Sequence, residues 1–329
     1  MTALAPTLEA FFTERLARQR RASGHTVAAY RDAWRLLLAF AARRAGKPPS
    51  RLDIADLDAP AIGAFLDHLE KDRGNSTRTR NARLAAIHSA FSYAALRHPE
   101  HAALIARVLA IPAKRADKAL VTWLTEDETA ALLAAPDPAT PTGRRDHAML
   151  HLAVVTGLRV SELTALTRGD LSLGAGPHVT CQGKGRKQRV TPLTAAAVAV
   201  LREWLRELPA DPAQVLFPGR AGSRLSRDAV ERRLSLHAAT AAASRPSLAG
   251  KKISPHVLRH TAAMRLLHAG VEVSVIALWL GHEQTETTGI YLHADLTLKE
   301  KALARTTPPG AAPGRYRPPD PLLAFLESL

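Results

Sequence analysis

The chain of 329 residues holds a single cysteine, Cys181, and few tyrosines. One thiol excludes a disulfide framework and any metal site built from several cysteines. No stretch approaches the roughly 18 consecutive apolar residues that a membrane span needs. Glu9 and Glu14 interrupt the amino-terminal segment where a signal peptide would need an apolar run. We therefore expect a soluble protein of the cytoplasm that has no membrane partner.

Acidic residues are scarce relative to basic ones. The chain has 45 Lys and Arg against 30 Asp and Glu, which gives a formal net charge of +15. Such a balance suggests a polyanionic partner, nucleic acid first of all. A GC-rich genome that favours arginine and alanine would produce the same balance. The charge therefore favours DNA binding without deciding it.

Apolar residues recur at helical spacing through the first third of the chain. They predict a small helical domain over residues 1–112, with a fourth helix that begins at Ser76 and Thr77. Arg78, Arg80 and Arg83 crowd the first turns of that helix. A basic helical end suits contacts with DNA phosphates, although a solvated helix face would have the same pattern.

Pro112 and the charged, weakly periodic run that follows predict an interdomain linker over residues 113–122. The second predicted domain, residues 123–305, is again mainly helical. Its segments "DLSL", "HVTCQ" and "QRVTPL" predict a small antiparallel sheet. For residues 306–329 the sequence predicts a proline-rich connector that ends in a short amphipathic helix, "PLLAFLESL". The predicted fold is therefore mainly α with one small β-sheet.

The motif "TGLRVSEL" puts Arg159 in the break between two helices, with Glu162 in reach to pair with it and hold it rigid. The alternative is an ion pair that only fastens the two helices together. In "GKGRKQR", Lys184 lies at the tip of a predicted hairpin, beside Arg186 and Lys187. That tip can reach into a DNA groove, but an exposed basic turn is the alternative.

The motif "SPHVLRHT" combines Ser254 as a predicted helix cap with Pro255 at the first helical position. His256 and Arg259 then share one face near the helix N-terminus, a place that favours phosphate. His256 and His260 also have the spacing of a zinc pair, but no Glu follows the first histidine. No cysteine pair or acidic cluster completes a site, so we expect no metal. A capping or core role is the alternative for His256.

The last motif, "LGHEQTETTGIYLHAD", sets Tyr291 nine residues after His282, among small polar residues. Taken in order, the four motifs resemble those of the tyrosine recombinase family, which includes phage integrases and Xer-type recombinases. The resemblance is sharp over residues 120 to 300 and looser over residues 1–112. It implies a SAM-like, DNA-binding amino-terminal domain ahead of an α-rich catalytic domain. The residues that match the family's catalytic set are Arg159, Lys184, His256, Arg259, His282 and Tyr291.

The resemblance implies a role for each of these residues. Tyr291 would attack the scissile phosphate and form a 3′-phosphotyrosyl link, while Arg159 and Arg259 bind the non-bridging oxygens. Lys184 would protonate the leaving 5′-oxygen, although Arg186, Lys187 and Arg189 compete for that role. The supporting roles fall to His256 in proton transfer, His282 as a hydrogen-bond donor to the phosphate and Glu162 behind Arg159. No metal ion, ATP or other cofactor is expected.

The resemblance also implies a partner and an assembly. The partner would be double-stranded DNA at a specific site, contacted by Arg78, Arg80, Arg83, Arg186 and Lys187, and recombination would need four protomers on two sites. The carboxyl-terminal helix would either pass to the next protomer or fold back on its own, and partner recombinases would join in some family members. Two other hypotheses remain: a type IB topoisomerase, and a DNA-binding protein that has lost catalysis.

Overall fold

The computed structural model describes residues 4–115, 121–183, 188–220 and 222–281. The chain divides into two compact units, Met1–Ala119 and Leu120–Leu329. The predicted tail over residues 306–329 lies outside the described residues, as do Lys184, Arg186, Lys187, His282 and Tyr291. Among the described residues, no helix is both long enough and apolar enough to cross a membrane.

The first unit is helical throughout its described part. A first helix, α1, continues as a π-helical turn over Phe11–Gln19, and short 3-10 turns separate some of the later helices. Ser23, Asp58 and Ser76 accept a hydrogen bond from a backbone N–H of the helix that each precedes, which satisfies one unpaired donor. The helices are α1 (Leu4–Ala10), α2 (Gly24–Ala45), α3 (Ala59–Lys71), α4 (Thr77–Ala95) and α5 (Ala102–Leu109).

The core of the first unit follows the apolar periodicity of these helices. Ile62, Phe65 and Leu66 on α3 are fully buried, as are Phe11 and Leu37. The spacing of the three α3 residues puts them on one helix face, so that burying this face removes all three from water together. The helical amino-terminal unit predicted from periodicity is confirmed.

The second unit is built around α7 (Pro141–Thr156), which packs against α9 (Ala195–Leu205) and α11 (Pro255–His268). Thr125 and Glu128 form a reciprocal capping box at the start of α6, and Gly157 ends α7 in the left-handed region. The helices are α6 (Glu126–Ala134), α7 (Pro141–Thr156), α8 (Val160–Ala165), α9 (Ala195–Leu205), α10 (Arg227–Ala242), α11 (Pro255–His268) and α12 (Val273–Leu280).

The sheet of the second unit has the predicted antiparallel form. Its strands β1 (Leu171–Ser172), β2 (His178–Gln182) and β3 (Gln188–Pro192) pair in the order β1-β2-β3. Cys181 on β2 lies opposite Arg189 on β3. The Cys181 side chain is buried in the core, and this burial raises the pKa of its thiol.

A buried carboxylate joins α7 to α10. Asp146 is 0% exposed and accepts hydrogen bonds from Arg145 at 2.7 and 3.0 Å, from His237 at 2.8 Å and from Arg233. Burial alone would raise the pKa of Asp146, but the hydrogen bonds from His237 and Arg145 outweigh it and leave the pKa below its usual value. The ionised Asp146 therefore holds these two helices together.

Candidate active site

Three arginines from different elements meet at the carboxyl end of α12. The carbonyl of Leu280 accepts a hydrogen bond from Arg259 Nη2 at 2.6 Å and another from Arg189 Nη1 at 2.8 Å. The carbonyl of Gly281 accepts from Arg159 Nη2 at 3.1 Å. A helix C-terminus carries negative partial charge, so it attracts and orients cations. The fold thus gathers guanidinium groups from three separate parts of the sequence, and the Arg159 contact alone spans 122 residues of the chain.

Arg159 lies immediately before α8 and is held by Glu162. Its backbone N–H donates to Glu162 Oε2 at 2.8 Å, and its Nη1 donates to Oε1 at 2.9 Å. The Glu162 side chain is 4% exposed, whereas that of Arg159 is 32% exposed. The carboxylate therefore fixes the guanidinium from behind while part of Arg159 stays open to solvent. The pairing inferred from "TGLRVSEL" is present.

Arg259 on α11 is the more deeply buried of the two arginines proposed to bind phosphate. It is 4% exposed, and its Nη1 donates to the carbonyl of Gly157 at 2.6 Å. Together with the bond to Leu280, this contact ties the guanidinium to the ends of both α7 and α12. Two backbone carbonyls thus set its orientation, which limits the reorganisation needed to receive an anion.

Glycine is required where α7 and α12 end. Gly157 has φ +63°, and a Cβ there would lie 2.6 Å from Leu280 Cδ2 and 3.1 Å from Ala262 Cβ. Gly281 has φ +65°, and its Cβ would lie 2.3 Å from Arg189 Nη1. The left-handed conformation favours glycine, and the missing side chain lets each helix end approach its neighbours.

His256 occupies the first turn of α11 and is exposed. The Ser254 side chain, predicted to cap this helix, makes no capping hydrogen bond. Desolvation of the imidazole, followed by the cations Arg227, Arg259 and Arg159, lowers the pKa of His256 below its ordinary value. The lowered pKa favours the neutral form of the ring, which can accept a proton.

His260 lies one turn further along α11, with its ring centroid 6.2 Å from that of His256. Burial, with added repulsion from His256 and Arg259, lowers the pKa of His260 to about 4. Among the described residues, no three His, Cys, Asp or Glu side chains converge as a potential metal site.

Arg189 is a site residue whose position the sequence reasoning missed. Its sequence context makes it one of three alternatives to Lys184 as the residue that protonates the leaving 5′-oxygen. Its side chain is instead only 10% exposed, and it donates through Nη2 to Glu162 Oε2 at 2.9 Å. The signal lay in the strand pairing: directly opposed residues of an antiparallel pair share a face, and the partner of Arg189 is the buried Cys181. Arg189 therefore belongs to the interior of the site.

The arginines at the start of α4 differ in their accessibility. Arg78 is exposed, and Arg83 is half-buried with Nη1 2.6 Å from Asn75 Oδ1. Desolvation, with repulsion from Arg73, lowers the pKa of Arg83.

Arg80 does not fit the expected phosphate contact. It is 6% exposed, and its Nη1 donates to Asn81 Oδ1 at 3.0 Å and to the Pro112 carbonyl at 3.4 Å. Burial assigns it to holding the segment after α5, because a phosphate could reach it only if these contacts were broken. In this conformation the Arg80 guanidinium is therefore not open to a phosphate.

Comparison with known proteins places these two units in a family. Residues 122–297 match the Phage integrase family, and residues 10–98 match the phage integrase N-terminal SAM-like domain. The chain belongs to the phage integrase family. The family predicted from the four motifs is thereby confirmed, together with the mainly helical fold and the class of DNA strand-transferring enzyme. The matches favour neither the topoisomerase nor the inactive DNA-binding protein.

Similar proteins cover nearly the whole chain. The integrase/recombinase y4rC of Sinorhizobium fredii is 56% identical over 326 residues, which are 99% of this chain and 98% of that protein. The tyrosine recombinase XerC of Xanthomonas campestris is 36% identical over 284 residues, or 86% of this chain and 83% of XerC. The structure of the Tn1549 transposon integrase in complex with circular intermediate DNA has a TM-score of 0.69 at 17% identity, with 93% and 100% of the two chains covered. At that identity the last likeness shows the fold alone.

Proposed function

We propose that this integrase cleaves and rejoins DNA at a specific site through a 3′-phosphotyrosyl intermediate on Tyr291. The observation that carries the proposal is the convergence of Arg159 and Arg259 on the carboxyl end of α12, with Glu162 behind Arg159. His282 follows Gly281 directly in the sequence, and Tyr291 comes nine residues later. The arginines thus lie at the start of the segment that carries the proposed nucleophile.

The chemistry needs cations because charge develops on the non-bridging oxygens during attack on a phosphodiester. Two guanidinium groups supply this charge in a geometry that matches phosphate oxygens. The phenol of Tyr291 forms the new P–O bond, and the bond from phosphorus to the 5′-oxygen breaks. A phenol with an ordinary pKa near 10 has to lose its proton on attack. Neutral His256 assists that transfer.

The remaining proposed roles complete one cleavage step. Lys184 gives a proton to the leaving 5′-oxygen, and His282 donates a hydrogen bond to the phosphate. A 5′-hydroxyl of the partner strand then reverses the reaction and releases Tyr291. The phosphotyrosyl link retains the energy of the broken bond, so that resealing needs neither ATP nor a metal ion.

A nicked suicide substrate tests this proposal: the short fragment that carries the freed 5′-hydroxyl dissociates after cleavage, so the reaction cannot reverse and the covalent complex is trapped. The substrate is built from any inverted repeats that flank the reading frame. The parent protein should form an adduct and Tyr291→Phe should form none. Arg159→Ala should abolish cleavage while DNA affinity stays largely intact. The matched control is Arg206→Ala, since the Arg206 side chain is 74% exposed and pairs with Glu203 on the surface.

Two other outcomes distinguish the alternative functions. Relaxation of any supercoiled plasmid, rather than only of a plasmid with the cognate site, would favour a type IB topoisomerase. Absence of an adduct at every site tested would favour a DNA-binding protein without catalysis. Parallel loss of cleavage and DNA affinity in Arg159→Ala would mean that this arginine only holds the fold or the duplex.

The DNA partner and the assembly are part of the same proposal. We assign DNA contacts to both the amino-terminal domain, residues 1–112, and the catalytic domain, residues 123–305. Arg78 and Arg83 would contact phosphates from the first domain, and Arg186 and Lys187 from the second. Nucleoid association would follow from DNA binding, and four protomers would assemble on two sites, with partner recombinases where the family uses them.

The tail over residues 306–329 would either fold back in cis or pass to a neighbouring protomer. An open groove of about 380 Å³ in the second unit is lined mainly by apolar side chains, among them Val154, Leu266 and Trp279, together with Glu126 and Arg265. The apolar face of "PLLAFLESL" has the chemistry to fill such a groove. Deleting the tail should weaken assembly of four protomers if the helix is exchanged. If it folds in cis, the deletion should instead lower the stability of the single protomer.

A further inference from the structure

We propose that Arg189 is a positioning residue for strand cleavage, whose buried guanidinium sets the orientation of Arg159 through the shared carboxylate of Glu162. The inference rests on the proposed function, since it assigns a task within the same site. Arg189 has no part in the set of residues that touch the phosphate or the reacting strand. It acts through the groups that do.

The carboxylate of Glu162 lies between two guanidinium groups. Its Oε2 accepts from Arg189 Nη2 at 2.9 Å and from the backbone N–H of Arg159 at 2.8 Å. Its Oε1 accepts from Arg159 Nη1 at 2.9 Å. Both oxygens are therefore held, so the carboxylate cannot rotate about its axis without losing contacts. Arg189 fixes the oxygen that the Arg159 side chain does not use.

The other terminal nitrogen of Arg189 shares an acceptor with Arg259, the second arginine proposed to bind phosphate. Its Nη1 donates to the Leu280 carbonyl at 2.8 Å, and the same oxygen accepts from Arg259 Nη2 at 2.6 Å. Arg189 thus shares one acceptor with Arg159, which is Glu162, and one with Arg259, which is the end of α12. A single buried side chain fixes the spacing of the two guanidinium groups.

Burial distinguishes this arrangement from a solvated cation or a DNA contact. The Arg189 side chain is 10% exposed, against 32% for Arg159. The close approach to α12 also depends on residue 281 being glycine, because a Cβ there would lie 2.3 Å from Arg189 Nη1. The contact is therefore built into the backbone geometry of two elements.

The position of Arg189 on β3 links this network to the hairpin. Arg189 pairs with Cys181 in the β2–β3 ladder, and Lys184 lies between those two strands in the sequence. A contact from β3 to α8 and α12 therefore relates the sheet, whose hairpin bears the proposed acid, to the arginines proposed to clamp the phosphate. Loss of Arg189 should disturb the relative placement of these groups rather than remove any of them.

The test uses the full chain and a nicked suicide substrate at saturating DNA, so that the first-order rate of adduct formation reports the chemical step. Arg189→Gln should lower this rate by about 100-fold, the size of effect that a displacement of roughly 1 Å at a reacting centre produces. The dissociation constant for DNA should stay within about two-fold, because Arg189 does not contact the phosphate. Arg189→Lys should give an intermediate rate, since a single ammonium group lacks the two separated nitrogens of a guanidinium and cannot bond to both acceptors at once.

A matched control is Arg168→Gln. Arg168 is half-buried in the same unit and donates through Nη1 at 2.8 Å to the carbonyl of Leu205 on α9, a helix that carries none of the proposed site residues. The Arg168→Gln substitution removes a comparable arginine-to-carbonyl contact, so it should lower the free energy of unfolding without slowing adduct formation. If Arg189→Gln does not fold, Arg189→Lys carries the same comparison.

Two further readouts separate positioning from a general structural defect. A substrate with a methyl group in place of one non-bridging oxygen lacks the charge that Arg159 and Arg259 clamp. On this substrate the rate ratio between parent and Arg189→Gln should shrink towards one. In a double-mutant cycle, Arg189→Gln should slow the Glu162→Gln variant by a smaller factor than it slows the parent protein, because both changes break the contact between Arg189 and Glu162.

The outcomes distinguish the two proposals. Adduct formed equally fast by the parent and by Arg189→Gln overturns this inference alone. The inference is also overturned if Arg189→Gln slows adduct formation equally on the charged and the methylated substrate and Arg168→Gln slows it to the same extent. No adduct from the parent protein overturns the proposed function, and this inference with it.

Discussion

Replacing Gly157 by alanine should destabilise the second unit through two separable effects. The residue has φ +63°, and the left-handed region costs a residue with a Cβ about 1–2 kcal/mol. The new Cβ would also lie 2.6 Å from Leu280 Cδ2 and 3.1 Å from Ala262 Cβ. Leu280 is 0% exposed, so its displacement amounts to overpacking a core, which costs roughly 1–3 kcal/mol. Together these give a loss of about 2–5 kcal/mol.

Two other glycines allow the effects to be measured apart. Gly176 has φ +66° but nothing within 4 Å of its Cβ position, so Gly176→Ala should cost only the backbone part. Gly174 has open space and no positive φ, so Gly174→Ala should change the stability by less than about 0.5 kcal/mol. The difference between Gly157→Ala and Gly176→Ala isolates the packing cost against α11 and α12.

Urea unfolding followed by tryptophan fluorescence is a suitable assay. Trp123, Trp204 and Trp279 lie in the second unit, and the remaining tryptophan, Trp34, lies in the first. The rate of adduct formation should fall as well, because the Gly157 carbonyl accepts from Arg259 at 2.6 Å. If Gly157→Ala costs no more than Gly176→Ala, the argument for close packing at this helix end is wrong.

Two more predictions concern buried titratable groups of the second unit. Asp146→Asn should lower the free energy of unfolding by about 3–5 kcal/mol, because it leaves buried cationic partners without their carboxylate; a loss below about 1 kcal/mol in urea unfolding would contradict this. The pKa values of His151 and His260 are about 4 in the folded chain, mainly through burial, against about 6.5 when unfolded. Since the unfolded chain takes up protons that the folded one does not, stability decreases as the pH is lowered. The urea concentration at the unfolding midpoint should therefore be lower at pH 5 than at pH 7.5. The double variant His151→Gln/His260→Gln should flatten that dependence, and an unchanged slope would refute the assignment.

The amino-acid sequence by itself determined the local structure and the family. The start of α4 was predictable at Ser76, because capping depends on neighbours in the chain. Alternation of residue types indicated the small sheet, and four ordered motifs identified the family. The pairing of Arg159 with Glu162 was also readable, since residues three apart meet on a helical turn.

Tertiary structure alone decided which cations are accessible and which are interior. Arg78 and Arg80 lie two residues apart in one basic run, but the helix turns one outward and buries the other against the Pro112 carbonyl. The sequence places Arg189 beside the basic residues of the hairpin, but in the fold it donates hydrogen bonds to the Leu280 carbonyl at the end of α12 and to Glu162. Charge and residue type are properties of the chain, whereas burial depends on which distant elements pack together. The convergence of three guanidinium groups on the last carbonyls of α12 is therefore a consequence of the fold.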